Sequence, residues 1–371
     1  MRVVLVITKG ELGGAQTHVA ELCGALRHRC DFLVLIGGGG RSPLGDALTS
    51  MNIRVESIPG LSNAVSVRSL LASVHQIADH AKSWRADVIH VHSAVAAAVG
   101  RMAGWLAAIP VVYTVHGFAF KPQVPRVRRL CAFTGERVLA PFSSHVICVS
   151  HAERELAMKL GMPEARVSVI SNGVSDSALR AQPSSLPATL IMVARMAAPK
   201  RHDLLLQALS VLQARGMAPP QTVLAGGGPL LAKWREAATA FGLSCVSFCG
   251  DISDVDARLA QCQVFVLLSD HEGQPISVIE AMRAGLPIVA SDLPGIRAQI
   301  TPGVEGLLTS HEPEAIADAV ERMVSDPLLR ARLGAAARRR FESEFSAACM
   351  AEQVEQVYGR SARKASLLLQ G

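Results

Sequence analysis

Short apolar runs alternate with helical patterns along most of the chain, and they do so in two successive series. In the first series strands are expected at 2–8, 31–36, 53–58, 87–91, 111–115, 145–149 and 167–170. Helical patterns fall between most of them, at 15–28, 66–83, 93–108, 126–140 and 151–160. Strands that alternate with helices must run parallel, and a parallel sheet is covered by helices on both faces. The segment SDSALRAQPSSLPAT (175–189), rich in Ser, Ala and Pro, interrupts the pattern and is the best linker candidate. A second series then places strands at 189–194, 221–225, 246–249, 263–268 and 287–290. Its helices are expected at 201–215, 229–241, 254–261, 275–284 and 312–325, and the chain ends helically from about 327 to 342 and 346 to 368. At 371 residues the chain suits two domains rather than one core. The expected architecture is α/β, with two doubly wound domains and a cleft between them. The expected boundaries are 1–180, 181–345 and a final segment 346–371.

Charge is uneven along this frame. Residues 1–180 carry 19 Lys and Arg against 12 Asp and Glu, whereas the remainder carries 18 against 19. Lys121, Arg126, Arg128 and Arg129 concentrate the excess in KPQVPRVRR. Such a patch can face nucleic acid, anionic lipid or a phosphorylated substrate, or can be a solvated helix face. No aromatic residues are interleaved with it and no nucleic-acid motif accompanies it, so nucleic acid is not expected.

The eight Cys form no CxxC pair and mostly sit in apolar surroundings, as reduced core residues do. A reducing cytoplasmic location is expected. MRVVLVIT lacks a signal peptide's cleavage region and runs directly into a Gly loop, so it reads as a first strand. The longest apolar stretch, 93–115, is interrupted by Arg101, Gly104 and Pro110. It divides into a helix and a strand more readily than it forms a membrane span.

Residues able to do chemistry gather where strands end. Ligands of open α/β sheets bind at the carboxyl ends of the strands. The first strand ends in a loop containing Gly13 and Gly14, and a helix N-terminus behind such a turn can hold a phosphate. The spacing is neither GxGxxG nor a Walker loop, and a plain turn explains it equally. Arg195 and Lys200 flank the loop after the strand 189–194. Two fixed cations there can neutralise a diphosphate and the charge that develops on a departing one. Gly226 and Gly228 follow another strand, where backbone amides can meet a ligand or where glycine serves the turn alone. Glu272 and Glu280 lie on the loop 269–275 and the helix 276–284, and two carboxylates suit a ligand rich in hydroxyl groups. His116 ends the strand 111–115. His90 and His92 have HxH spacing, but no third ligand of suitable spacing accompanies them, and no metal is expected. Gly37–Gly40 reads as a flexible loop.

The ordered set resembles the retaining glycosyltransferases of family 4, which have the GT-B fold, over nearly the whole length. Gly13-Gly14-Ala15 is similar to the family's N-terminal Gly-Gly loop, and Thr114-Val115-His116-Gly117 to its first-domain His segment. Ser171-Asn172-Gly173-Val174 resembles the Asn-Gly-Val stretch before the linker, and Arg195 with Lys200 the Arg-x4-Lys pair. Glu272-Gly273 through Glu280-Ala281-Met282 resembles the Glu-x7-Glu signature. The resemblance implies that Arg195 and Lys200 hold the donor diphosphate, Glu272 meets hydroxyls of the transferred sugar and Glu280 holds the ribose. It also implies that His116 contacts the sugar, that Gly14 packs near the phosphates and that amides of Gln274 to Ile276 meet sugar and phosphate. No metal or other cofactor is implied beyond the nucleotide-sugar co-substrate, and the final helix is expected to cross back to the first domain.

The family often has Phe-Gly after Glu-Gly, where this chain has Gln274-Pro275. Pro275 removes one N–H, which bears on which sugar is held. TVHGFAFK (114–121) looks most like members that extend polyprenyl-diphosphate-linked sugars. The expected partners are therefore a nucleotide sugar, with UDP the default, a lipid-linked glycan and the inner face of the cell membrane. A UDP-sugar epimerase on the same scaffold and a non-catalytic nucleotide-sugar-binding protein remain as alternatives.

Overall fold

A computed structural model describes residues 1–11, 13–62, 66–120 and 125–370, with side chains through Arg363. The chain divides into two units, residues 1–175 with 347–371, and residues 176–346.

The first unit is built on a parallel seven-stranded sheet: β1 (Arg2–Ile7), β2 (Asp31–Gly37), β3 (Arg54–Ile58), β4 (Val88–His92), β5 (Val111–Val115), β6 (His145–Cys148) and β7 (Val167–Val169). Their spatial order is β3-β2-β1-β4-β5-β6-β7, so strand order reverses between β1 and β4, where Ile7 stands opposite His92. The helices are α1 (Gly14–Leu26), α2 (Pro43–Ser50), α3 (Val67–Ser83), α4 (Ala94–Ala107), α5 (Arg126–Leu139) and α6 (His151–Lys159). Val4, Val6, Ile89 and Val91 face a core shared with α3 and α4. Val3, Leu5 and Ile7 face a second core shared with α1 and α2. Both faces are apolar, which is why these strands read as unbroken hydrophobic runs.

The second unit repeats the plan with six strands: β8 (Leu190–Val193), β9 (Thr222–Ala225), β10 (Val246–Gly250), β11 (Val264–Leu267), β12 (Ile288–Ser291) and β13 (Gly306–Thr309). The order β10-β9-β8-β11-β12-β13 reverses between β8 and β11. Its helices are α7 (His202–Ala214), α8 (Leu231–Ala240), α9 (Val255–Ala260), α10 (Ile276–Ala284), α11 (Pro294–Arg297), α12 (Pro313–Ser325) and α13 (Pro327–Arg340). The last helix, α14 (Ala347–Gln370), returns to the first unit. Its Met350, Val354, Val357 and Tyr358 are buried in the core of α1 and α2. Each large apolar side chain so buried is worth about 1.5–3 kcal/mol. Tyr358 adds a buried hydrogen bond to His90 Nδ1 at 2.6 Å.

The structure departs from the expected elements at several places. Helix α2 is present, capped by the Ser42 hydroxyl, which accepts from the Gly45 amide, with Pro43 in its first turn. Strand β13, Gly-Leu-Leu-Thr, opens on a glycine and carries only two large apolar residues, so no apolar run marks it. The segment 176–189 is not a loose linker but is fastened to the second unit. The fully buried Arg330 guanidinium donates to the carbonyls of Pro183, Ser185, Met323 and Val324, and the Ala181 amide donates to Ala284 O. Buried cations require such saturation. Gly37 is not part of a flexible loop: it ends β2, and a Cβ there would lie 2.1 Å from Leu61 O and 2.3 Å from Thr8 O.

Candidate functional site

Both strand-order reversals carry the candidate residues, one group in each unit. In the second unit the loops after β8 and β11 are zipped together. Lys200 forms an antiparallel bridge with Ser269, the Arg201 amide donates to Leu268 O, and the Asp270 amide donates to Pro199 O. This brings Lys200 Nζ to 2.5 Å from Glu272 Oε1, which also accepts from the Ser269 hydroxyl at 2.5 Å. Arg195, in the same loop, is exposed, and among the described residues it has no ion-pair partner. One cation is thus neutralised by the carboxylate beside it and the other is open to an incoming anion.

The glycine loop after β9 supports this arrangement from below. Gly226 and Gly228 have φ of +131° and +144°, and a Cβ would meet Ala194 O at 2.2 Å and Met196 O at 2.5 Å respectively. The Met196 amide donates to Gly227 O, and the Gly227 amide donates to Asp251 Oδ1 at 2.6 Å. Within the unit, then, these two glycines have a clear structural role, letting one backbone lie against the Arg195 loop.

The Glu272-Gly273 turn is held in the same manner. A Cβ on Gly295, in α11, would lie 2.3 Å from Gly273 O. The buried Gln299 donates to Pro275 O at 3.1 Å, and Ser291 Oγ accepts from the Ser269 amide. Gln274 and Pro275 are buried rather than presented to solvent. Pro275 stands just before α10 in extended conformation, not within its first turn, and Ile276 opens the helix. The N-terminal amides of α10 therefore open beside Glu272, while Glu280 sits half-buried in the helix's second turn.

In the first unit, Gly13 precedes α1 in fully extended conformation, and Gly14 would have open space around a Cβ. A cavity of about 480 Å³ opens beside this turn, with Glu11, Gln16, Glu21 and Arg27 among its lining residues. At the β1–β4 reversal stands a group of imidazoles that sequence spacing does not reveal. One ring nitrogen from each of His18, His92 and His116 lies within 4.8 Å of the others. His92 Nδ1 is 3.2 Å from His116 Nε2, and His18 Nδ1 is 2.9 Å from Asn172 Oδ1.

Sequence spacing offers His90 and His92 no third ligand, but in space His18 and His116 join His92. Its neighbours come from α1 and from the end of β5, not from a local repeat. His90 is instead spent on Tyr358 and on Thr114 Oγ1. Burial holds His18 down to about 4, and holds His92 and His116 well below the usual imidazole range, with the neighbouring imidazoles adding to the effect on the last two. All three are neutral at pH 7, able to exchange neutral hydrogen bonds or to ligate. The chain also holds one Asp-x-Asp spacing that the expectation of no metal leaves aside, and each carboxylate has an arginine partner. Asp254 pairs with Arg258, and Asp256 with Arg283.

Of the basic segment, Arg126 and Arg128 are exposed and Arg129 is half-buried on α5. Lys121 lies outside the described residues.

The family model described as Glycosyltransferase Family 4 matches residues 12–178, and that of Glycosyl transferases group 1 matches residues 180–340. The chain belongs to the family 4 glycosyltransferases. It is similar to the UDP-Gal:alpha-D-GlcNAc-diphosphoundecaprenol alpha-1,3-galactosyltransferase of Escherichia coli, 26% identical over 77% of this chain and 79% of that protein. It is also similar to the alpha-maltose-1-phosphate synthase of Mycolicibacterium smegmatis, 26% identical over 93% of this chain and 95% of that one. Among solved structures, Anabaena HepE in complex with UDP and glucose superposes with a TM-score of 0.84 at 21% identity, covering 97% of this chain and all of the other. This glycosyltransferase thus has the α/β GT-B fold of two Rossmann-like units. No described helix of it is long and apolar enough to cross a membrane.

Proposed function

We propose that this glycosyltransferase moves a hexose or N-acetylhexosamine from a UDP-sugar, with retention of anomeric configuration, to a hydroxyl of a lipid-linked glycan in surface-polysaccharide or glycan assembly. The observation that carries the reading is the Lys200–Glu272 contact beside the open Arg195, at a strand-order reversal. A diphosphate anion fits the two cations and a sugar's hydroxyl groups fit the carboxylate. HepE's complex with UDP and glucose supports the nucleotide, and the E. coli relative's diphosphoundecaprenol substrate supports the acceptor.

Arg195 and Lys200 take the diphosphate, and the amides at the start of α10 add partial positive charge. Glu272 accepts from sugar hydroxyls and Glu280 from the ribose. His116, neutral at pH 7, offers a hydrogen bond to the sugar, and Gly13 and Gly14 leave room for an approaching phosphate. Gly273, Gln274, Pro275 and Ile276 shape the wall around the sugar. Pro275 donates no hydrogen bond there, so this wall offers the sugar one amide fewer.

The C1–O bond to the diphosphate breaks with its electron pair going to phosphate oxygen. The acceptor oxygen bonds to C1 on the same face, and its proton passes to the departing phosphate. Charge grows on the leaving oxygen, where preorganised cations act most strongly. No carboxylate needs to be a nucleophile, so Glu272 positions the sugar. The reading requires no metal ion. Arg126, Arg128 and Arg129 are assigned to contact with anionic lipid on the inner face of the cell membrane.

A donor screen followed by turnover tests the reading. UDP-sugar that binds the folded protein raises its melting temperature. Acceptor-dependent UDP release, with the product's anomeric configuration read by NMR, supports the assignment. An epimer formed from donor alone would indicate the epimerase reading. Donor binding without turnover on any polyprenyl-diphosphate sugar would indicate a non-catalytic binder. Activity lost in EDTA and restored by a divalent ion would overturn the metal-free mechanism.

A further inference from the structure

Fifteen large apolar side chains are exposed among the described residues, and seven of them lie together on α4, α5 and the turn that follows α5. On α5, Val127, Leu130 and Val138 are 75%, 66% and 62% exposed. With Cys131 and Thr134, also exposed, they fall at helical spacing along one outward stripe. Trp105, at 72%, stands on α4 with its ring edge-on to Phe142, the centroids 6.4 Å apart, and Met102 and Leu106 flank it. The two helices are locked side by side by the buried Arg101–Glu136 ion pair, so the face is a fixed surface.

The exposed charges that α5 carries are all of one sign. Helix α5 carries Arg126, Arg128, Arg129 and Arg137, while its single carboxylate, Glu136, is buried against Arg101. Helix α4 and the turn Ala140–Phe142 carry no carboxylate. An apolar stripe edged only by arginines complements a surface with negative head groups over a hydrocarbon layer. A symmetric contact between two copies would set these arginines against one another.

We infer that the α4–α5 face docks on an anionic lipid bilayer, with Val127, Leu130 and Trp105 entering the acyl boundary and the arginines at head-group level. The inference deepens the lipid-linked acceptor reading, because a surface-held enzyme meets such an acceptor in two dimensions. It goes beyond charge attraction: the apolar side chains, not the arginines alone, hold the protein there.

Full-length protein is mixed with vesicles of phosphatidylcholine alone or with phosphatidylglycerol added. Binding is followed by sedimentation and by Trp emission, including vesicles with brominated acyl chains. Trp84 is half-buried and Trp234 buried, so Trp105 is the exposed reporter. The expected result is binding to anionic vesicles that persists in part at about 0.5 M salt, where surface charges are screened. Emission should shift to the blue and be quenched by bromine. Trp105→Phe should remove most of the optical change and keep the sedimentation. Val127→Ser with Leu130→Ser should weaken binding by about tenfold or more with an unchanged circular dichroism spectrum.

Binding abolished by salt without any Trp shift would overturn insertion in favour of charge contact alone. Absence of binding, or a dimer that the double variant dissolves, would overturn the inference outright. The vesicles hold no acceptor sugar, so the two readings fail separately. Docking without transfer to any lipid-linked sugar removes the acceptor and keeps the face, and transfer in detergent without docking does the reverse.

Discussion

Lys200 Nζ sits 2.5 Å from Glu272 Oε1, although the two residues come from loops after different strands. The side chains are 18% and 11% exposed, so the pair is partly withdrawn from water. A donor diphosphate would take over the role of Glu272 as the lysine's counter-ion and release the carboxylate toward sugar hydroxyls. On the proposed reading, the contact would hold the place that the ligand takes.

Arg195→Ala is the cleanest test of that arrangement. Arg195 is exposed and unpaired among the described residues, so removing it leaves nothing buried without a partner. The melting temperature should change little, while kcat/KM should fall by about 10²–10³, the scale for losing one preorganised transition-state contact. Turnover within about threefold of the parent enzyme would dismiss the diphosphate assignment. Lys200→Ala should lose a comparable amount of activity, and it should also lower stability, because it leaves the Glu272 carboxylate without its ion-pair partner.

Gly226→Ala tests the support beneath the same loop. The added methyl would lie 2.2 Å from Ala194 O at a φ of +131°, so both sterics and backbone conformation resist it. Destabilisation of about 2 kcal/mol or more is expected, with a weaker donor response in thermal shift because the Arg195 loop must move. Gly14→Ala provides the contrast. Its Cβ meets nothing within 4 Å, so stability should hold, and any loss of activity would report on ligand space.

Much of this architecture is legible in the chain, and the failures have physical causes. Strands buried on both faces advertise themselves as apolar runs, and Gly13, Arg195 and Glu272 lie in the loops that follow such runs. The contact between Lys200 and Glu272 is not legible, because it depends on β8 lying beside β11 across a reversal of strand order. His18 is missed for the same reason. Only its place one turn into α1, behind Gly14, hints that it faces the sheet edge where His92 and His116 end their strands. Gly226 and Gly228 read from the sequence either as ligand contacts or as turn glycines, and their positive φ and close backbone neighbours show a structural need.

Buried imidazoles make stability sensitive to acid. Burial lowers His18, His145 and His202 each to about 4, against 6.5 when exposed, and holds His90, His92 and His116 well below the usual imidazole range. Because the folded-state values are depressed, the unfolded chain binds protons first as pH falls. The folded state is thus fully favoured above pH 6.5, and this contribution is lost progressively toward pH 4. Urea midpoints should drop steeply across that window and be flat from pH 7 to 8. His18→Gln should make the drop shallower; an unchanged slope would show that His18 is not among the groups responsible.

Tyr358→Phe isolates what one hydroxyl on α14 does for the first unit. The Tyr358 hydroxyl is 2.6 Å from His90 Nδ1, while His90 Nε2 meets Thr114 Oγ1 at 2.7 Å. Because His90 is fully buried, losing the hydroxyl strands one ring nitrogen without water, at a cost of about 1–3 kcal/mol. The ring itself stays, so apolar packing on α1 is retained and α14 should remain docked. Denaturant unfolding should show that loss. Hydrogen exchange should show faster opening in α14 and β4 and no change in the strands of the second unit. Equal loosening of both units would mean that α14 does not stabilise the first unit in particular. If the Thr8–Ser93 hydroxyl contact at the β1–β4 reversal also loosens, the terminal helix is shown to set the order of the site edge on which His92 and His116 stand.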